Sequence, residues 1–112
     1  EVCIQAGLPP KLDGPYYIDL TRAITTELPS LHIHAFSPEE VLYGSVRSGL
    51  PIRDYLAELR AAGLGTLPGP SAEILDQEIR DVIARGRITV PQWVDVITTA
   101  HALGIRTIST IM

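Results

Sequence analysis

The chain has 112 residues, of which 46% are hydrophobic and 20% are charged, and its formal net charge is −4. That composition is typical of a globular domain, and the acidic balance argues against a nucleic-acid or anionic-membrane partner. No apolar run approaches the roughly 20 residues of a membrane-spanning helix. The single cysteine, Cys3, excludes an internal disulfide bond and fits a reducing, cytoplasmic compartment. We expect it to be buried as a small apolar side chain.

Short apolar strands alternate with amphipathic helices along the chain. The predicted strands cover residues 1–6, 31–36, 64–67 and 105–112. The predicted helices cover residues 15–28, 37–62, 71–84 and 89–103, with a break in the second one at residues 49–51. Because both ends of the chain fall inside strands, we expect it to be a piece of a longer protein.

The order β-α-β-α-β-α-β, with strands about 30–40 residues apart, is typical of parallel strands joined by right-handed crossovers. Two architectures fit this order: an open doubly wound sheet, or an arc of an eight-stranded (β/α) barrel. No Gly-x-Gly-x-x-Gly motif follows a strand, which disfavours the common nucleotide-binding open sheets. A whole barrel needs about 250 residues, so the chain would be about half of one.

The helix predicted over residues 71–84 has a clear two-sided pattern. Ser71 is its expected N-cap. Its expected buried face consists of Ile74, Leu75, Ile79, Val82 and Ile83. Its expected exposed face consists of Asp76, Glu78, Arg80 and Asp81.

Two histidines share one face of the second predicted strand. Leu31, Ile33 and Ala35 alternate with His32 and His34, which is strand periodicity. If the apolar face packs on helices, the imidazoles must face a polar space, because buried imidazoles need partners. Satisfied core histidines and a substrate-facing pair are equally good interpretations. His34 is the better substrate candidate, since it lies closer to the carboxyl end of the strand, where barrel active sites lie.

Small or polar residues follow the strands at that same end. Gln5, Ala6 and Gly7 end the first strand, where small residues allow a ligand to approach the backbone, although a plain tight turn explains them as well. Ser37 begins a capping box and is foremost a helix cap. Glu73 follows the third strand, where a carboxylate either interacts with a helix dipole or binds ribose hydroxyl groups.

Four stretches of the chain resemble the radical S-adenosylmethionine enzymes that make the deazaflavin chromophore. They are EVCIQAGL at 1–8, HIHAFSP at 32–38, LPGPSAEIL at 67–75 and TAHALG at 99–104. The resemblance spans essentially the whole chain and is to the tyrosine-using 4-hydroxyphenyl transferases of that family. It implies a fragment of a (β/α) barrel that runs from the second strand to the fifth.

The resemblance also implies a chemistry for the whole enzyme. A 4Fe-4S cluster would cleave S-adenosylmethionine, and the resulting radical would fragment L-tyrosine. The p-hydroxybenzyl fragment would then join 5-amino-6-(D-ribitylamino)uracil, with a companion synthase subunit or module as partner. The Cys-x-x-x-Cys-x-x-Cys loop that binds the cluster in the family is absent from this chain, so we expect no metal site within it.

The resemblance implies roles for individual residues at the positions where this sequence matches the motifs of the family. Gln5, Ala6 and Gly7 correspond to the loop that holds the methionine end of S-adenosylmethionine, and Ala6 stands where the family has glycine. Pro9 stands where the family usually has histidine. The resemblance further implies that Glu73 binds the ribose of S-adenosylmethionine and that His34 and Ser37 touch substrate or cosubstrate. We therefore predict that Ser37 contacts S-adenosylmethionine and that His34, with His32 on the same strand face, binds substrate.

Two other functions remain open at this point. Two menaquinone-pathway enzymes, aminodeoxyfutalosine synthase and dehypoxanthine futalosine cyclase, share the same framework. Their loop after the corresponding strand is usually richer in glycine than the one at residues 71–75. A non-catalytic barrel remnant is the third possibility.

Overall fold

A computed structural model of the chain describes residues 1–70 and 72–112. The strands in this part of the chain are β1 (Val2–Ile4), β2 (Ile33–Ala35), β3 (Leu64–Leu67) and β4 (Arg106–Thr107). The helices are α1 (Tyr16–Glu27), α2 (Pro38–Ser48), α3 (Ile52–Ala62), α4 (Gln77–Ile83) and α5 (Val90–Ala102). The predicted strand–helix alternation is confirmed, but β4 is much shorter than the run of residues 105–112 that the sequence predicts.

The four strands form one parallel sheet in the order β1-β2-β3-β4, which is also their order in the chain. This confirms the predicted α/β class with parallel strands. The register aligns Cys3 with His34, His34 with Thr66, and Thr66 with Arg106. Residues in register on neighbouring parallel strands point to the same face, so these four side chains form one row across the sheet.

The two faces of the sheet differ as the histidine pattern predicts. Ile33 and Ala35 are buried in the core beneath the helices. The row that contains His34 lies on the opposite face, which borders an open concavity. The prediction that Cys3 is buried is wrong: Cys3 is exposed, because its register with His34 turns it away from the helices.

Helix ends follow local sequence signals closely. Ser37 caps α2 and Thr89 caps α5, each within a complete capping box with proline in the first turn. The predicted break between α2 and α3 lies at Gly49, whose φ of 66° is the left-handed conformation that glycine adopts without strain. The helices then pack on the sheet through one core. Its aromatic side chains are Tyr17, Phe36, Tyr55 and Trp93.

Helix α4 contradicts the sequence prediction in both its length and its orientation. It begins only after Asp76, whose carboxylate accepts a hydrogen bond from the Ile79 amide, and the predicted cap Ser71 lies outside the described residues. Val82 and Ile83, predicted to be buried, are 79% and 56% exposed. Arg80, predicted to be exposed, is only 2% exposed.

The guanidinium group of Arg80 explains this inversion. It donates to the carbonyl oxygens of Ala72 at 2.9 Å and Ile88 at 2.5 Å. These carbonyl groups lie in the segments before and after α4, so Arg80 joins both segments to the helix. Hydrogen bonds from a charged donor are stronger than those between neutral groups, and they fix which face of this two-turn helix is turned inward.

Replacement of Arg80 by lysine should destabilise the protein. A lysine ammonium keeps the charge but lacks the planar fork that reaches two separate carbonyl groups. We expect the free energy of unfolding, measured by urea denaturation, to fall by about 2–3 kcal/mol. Arg85→Lys, on the exposed surface, is the matched control and should change it by less than about 0.5 kcal/mol. Equal stability of the two variants would contradict the role given to Arg80.

Candidate functional site

The carboxylate of Glu40 joins the loops that follow β1 and β2. Its Oε1 accepts hydrogen bonds from the amides of Ala6 at 2.5 Å and Gly7 at 2.6 Å. Its Oε2 accepts from the Ser37 amide at 2.7 Å, which completes the capping box of α2. Glu40 is only 3% exposed. One buried carboxylate therefore fixes three of the residues that the sequence places at the site: Ala6, Gly7 and Ser37.

The side chains of three tyrosines and one arginine donate hydrogen bonds to carbonyl oxygens of the loop after β1. Tyr17 donates its hydroxyl to the Gly7 carbonyl at 2.5 Å. Burial raises the pKa of Tyr17 above the usual range of a phenol, and the nearby Glu40 carboxylate adds to this, so the hydroxyl keeps its proton. The other bonds of this kind are Tyr43 to Pro9, Arg47 to Pro10 and Tyr55 to Gly14. The loop is thus shaped by helix side chains rather than by a local turn alone.

A concavity of about 440 Å³ lies between these two loops. We call it the loop concavity; it is lined by Gln5, Gly7, Leu8, Ser37, Glu39, Glu40, Gly86 and Arg87. Its outer wall contains an ion pair in which Arg87 Nε lies 2.7 Å from Glu39 Oε2. The structure therefore brings together Gln5, Gly7 and Ser37 among the residues predicted to bind S-adenosylmethionine.

A second concavity, of about 400 Å³, lies on the face of the sheet opposite to the helices. We call it the inner-face concavity; it is lined by Glu1, His32, His34, Thr66, Arg106, Thr107 and Ile108. His32 and His34 both contact the hydroxyl of Thr66. The predicted substrate-binding pair therefore occupies one site, separate from the loop concavity.

Glu73 lies apart from both concavities. Its backbone has a φ of 34° and forms an isolated parallel bridge with Ile111. Its carboxylate lies 3.6 Å from Arg80 Nη1, and its side chain remains 39% exposed. Arg87 lines both the loop concavity and the hollow beside Glu73, so it is the residue that connects the two.

Sequence reasoning missed four residues of these sites. Glu40 was visible only as part of a capping box, and its bonds to the first loop join residues that are 33 and 34 positions apart. Thr66 and Arg106 reach the site through the strand register. The sequences of β3 and β4, which are four and two residues long, do not determine that register by themselves. Arg87 follows a glycine in a loop and carries no local signal.

The described residues offer no ligand set for an iron–sulfur cluster. Across residues 1–70 and 72–112, no three His, Cys, Asp or Glu side chains meet in a way that could hold a metal ion. Cys3 is the only cysteine of the chain. Among the described residues, no helix is both long enough and apolar enough to cross a membrane.

Comparison with known proteins identifies the relatives of the chain. Over all 112 residues it is 49% identical to an FO synthase of Mycobacterium leprae and 48% identical to one of Streptomyces coelicolor. It is also 49% identical over 112 residues to a 5-amino-6-(D-ribitylamino)uracil–L-tyrosine 4-hydroxyphenyl transferase of Methanothermobacter thermautotrophicus. The resemblance predicted from the sequence is confirmed.

The chain matches only a part of each relative. It spans 13% of the length of the two FO synthases and 30% of the length of the transferase. No family model matches the chain. The shared part contains both concavities and all the site residues named above.

Replacement of Glu40 by glutamine should loosen both loops. A glutamine offers one acceptor oxygen where the carboxylate offers two, so at least one of the amides of Ala6, Gly7 and Ser37 loses its partner. We expect the free energy of unfolding to fall by about 2–3 kcal/mol and hydrogen exchange to accelerate at whichever of these three amides loses its acceptor. Glu58→Gln, on the exposed side of α3, is the control and should change neither. Unchanged exchange at all three of the Ala6, Gly7 and Ser37 amides in Glu40→Gln would rule out this role of Glu40.

Proposed function

We propose that this chain is part of a radical S-adenosylmethionine transferase of deazaflavin biosynthesis. The whole enzyme would join the p-hydroxybenzyl fragment of L-tyrosine to 5-amino-6-(D-ribitylamino)uracil. The observation that carries the proposal is 49% identity, over all 112 residues, to a transferase whose name states both of these substrates. We also propose that the enzyme acts with a companion synthase subunit or module, as the sequence resemblance implies, and that it acts in the cytoplasm, which fits the single cysteine.

The sheet supports a barrel arc more than an open doubly wound sheet. Its strands are all parallel and lie in chain order, whereas doubly wound sheets reverse the order of strands at a switch point. The face opposite to the helices carries His34, Thr66 and Arg106 and borders a concavity, as the inside of a barrel would. We therefore propose that residues 1–112 are the central portion of one barrel domain, covering its second to fifth strands.

The loop concavity is the proposed contact with S-adenosylmethionine, through Gln5, Ala6, Gly7 and Ser37. Because the Ala6 and Gly7 amides already donate to Glu40, the cosubstrate would contact this loop through other atoms. Ala6 stands where the family has glycine, and its methyl group is compatible with a loop that contacts the cosubstrate only through backbone atoms. Glu40 would then hold the backbone of this loop in the conformation that cosubstrate binding needs.

The cluster belongs, in this proposal, to a part of the enzyme outside this chain. When bound there, a 4Fe-4S cluster supplies the electron that cleaves S-adenosylmethionine. The residues of the present chain would bind and position S-adenosylmethionine and the substrates. His32 and His34 are the proposed substrate contacts, on the face that the inner-face concavity exposes.

The full-length protein provides the test of this function. It is purified anaerobically, reconstituted with iron and sulfide, and given S-adenosylmethionine, L-tyrosine and 5-amino-6-(D-ribitylamino)uracil. We expect 5′-deoxyadenosine and the p-hydroxybenzyl–uracil adduct to be detected by mass spectrometry, and neither product to form in amounts above background when L-tyrosine is omitted. Turnover of futalosine derivatives instead would favour a menaquinone-pathway enzyme. Absence of the upstream cysteine motif would favour a non-catalytic remnant.

Glu73 is the proposed ligand of the ribose of S-adenosylmethionine. Loss of its carboxylate in Glu73→Ala removes charge-assisted hydrogen bonds, and we expect the affinity of the full-length protein for S-adenosylmethionine to fall about 10- to 100-fold. Isothermal titration calorimetry measures this change. Glu78→Ala, on the exposed side of α4, is the control and should bind normally.

A second variant separates ribose binding from the contact between Glu73 and Arg80. Glu73→Gln keeps one acceptor oxygen near Arg80 Nη1, so the loop should stay in place while affinity falls by a smaller factor. Unchanged affinity in both variants would remove Glu73 from the proposed site.

A further inference from the structure

The hydroxyl group of Thr66 lies between the two histidines of the inner face. Its Oγ1 is 2.6 Å from His34 Nδ1 and 2.9 Å from His32 Nε2. His34 and Thr66 lie on the neighbouring strands β2 and β3, and His32 lies just before β2, so this arrangement depends only on residues of this chain. His32 and His34 are the residues to which the proposed function gives a substrate-binding role. The sequence pattern places them on one face but does not show that they share a hydrogen-bond partner.

The glycine before Thr66 makes this arrangement possible. The pairing of β2 with β3 is irregular between Ile33 and His34, so that Gly65 is an extra residue and Thr66 stands opposite His34. The ring of His32 lies against Gly65, where an added Cβ would be 2.4 Å from His32 Cε1. Any side chain at position 65 would therefore push His32 away from Thr66.

The hydroxyl fixes complementary proton positions on the two imidazoles. A threonine hydroxyl has one proton, so it donates to one ring nitrogen and accepts from the other. Hydroxyl donors make shorter hydrogen bonds on average than N–H donors, so the shorter contact, at 2.6 Å, favours Thr66 donating to His34 Nδ1. His32 Nε2–H then donates to Thr66, and Glu1 Oε2 lies 3.5 Å from the same nitrogen.

We infer that Thr66 is a positioning residue that holds His34 as the Nε2–H tautomer, so that this N–H donates to a carbonyl or carboxylate oxygen of the substrate. A neutral imidazole whose Nδ1 accepts a bond carries its proton on Nε2. Arg106 stands next to Thr66 in the same row and lines the same concavity, which adds a second donor group to this surface. The substrate contact rests on the proposed function, whereas the tautomer assignment does not.

The tautomer is read directly by nitrogen NMR of the full-length protein labelled with ¹⁵N-histidine, and the His34 signals are assigned by their loss in His34→Gln. In the wild-type protein we expect His34 to carry its proton on Nε2. Thr66→Val removes the hydroxyl at nearly constant volume and should shift the proton distribution towards Nδ1, whereas Thr66→Ser should keep the wild-type tautomer. Thr98→Val, on the exposed side of α5, is the matched control and should also keep it. A proton on Nδ1 in the wild-type protein, or an unchanged tautomer in Thr66→Val, would overturn the inference.

Steady-state kinetics tests the substrate contact separately. We expect Thr66→Val to raise KM for one of the two substrates about tenfold, the equivalent of one hydrogen bond, with recovery in Thr66→Ser. If the tautomer changes as expected but KM for both substrates is unchanged, the substrate contact is refuted. If the wild-type protein shows the expected tautomer yet no tyrosine-dependent product, the proposed function fails while the positioning role of Thr66 stands.

Discussion

The loops at the carboxyl ends of β1 and β2 depend on one buried carboxylate. Glu40 accepts bonds from three backbone amides, two in the first loop and one in the second. The Ser37 amide is buried, and leaving it without a partner would cost about 1–3 kcal/mol, so the carboxylate helps to determine where both loops lie. Tyr17 adds a bond to the Gly7 carbonyl, and burial raises the pKa of this phenol, so it remains a donor. The loop concavity is therefore shaped before any ligand arrives.

The two faces of the sheet carry different kinds of side chain, apolar on one and polar on the other. One face carries Ile33 and Ala35 into the core with the helices, which supplies the apolar burial that stabilises the fold. The other carries His34, Thr66 and Arg106, which are polar groups available to a ligand. Because side chains alternate along a strand, the same three residues of β2 serve both purposes. The proposed cosubstrate loop thus lies at one end of the sheet, and the proposed substrate contacts lie on one of its faces.

Helix α4 illustrates how a sequence pattern can mislead. Val82 and Ile83 match a helical apolar stripe, yet they are exposed, while Arg80 is buried. The pattern ranks residues by hydrophobicity, but a guanidinium with several carbonyl partners can be buried at a lower cost than an unpaired charge. No neighbour in sequence reveals those partners, since Ala72 and Ile88 each lie eight residues from Arg80. The helix therefore faces inward through its charged residue.

The sequence by itself determined the alternation of strands and helices, the capping boxes at Ser37 and Thr89, and the common face of His32 and His34. These features are local: they follow from side-chain periodicity and from hydrogen bonds that span a few residues. Tertiary structure decided which distant groups meet, as with Glu40 and Gly7 or His34 and Thr66. Those contacts depend on strand register and helix docking, because they join residues more than 30 positions apart and leave no periodic trace along the chain.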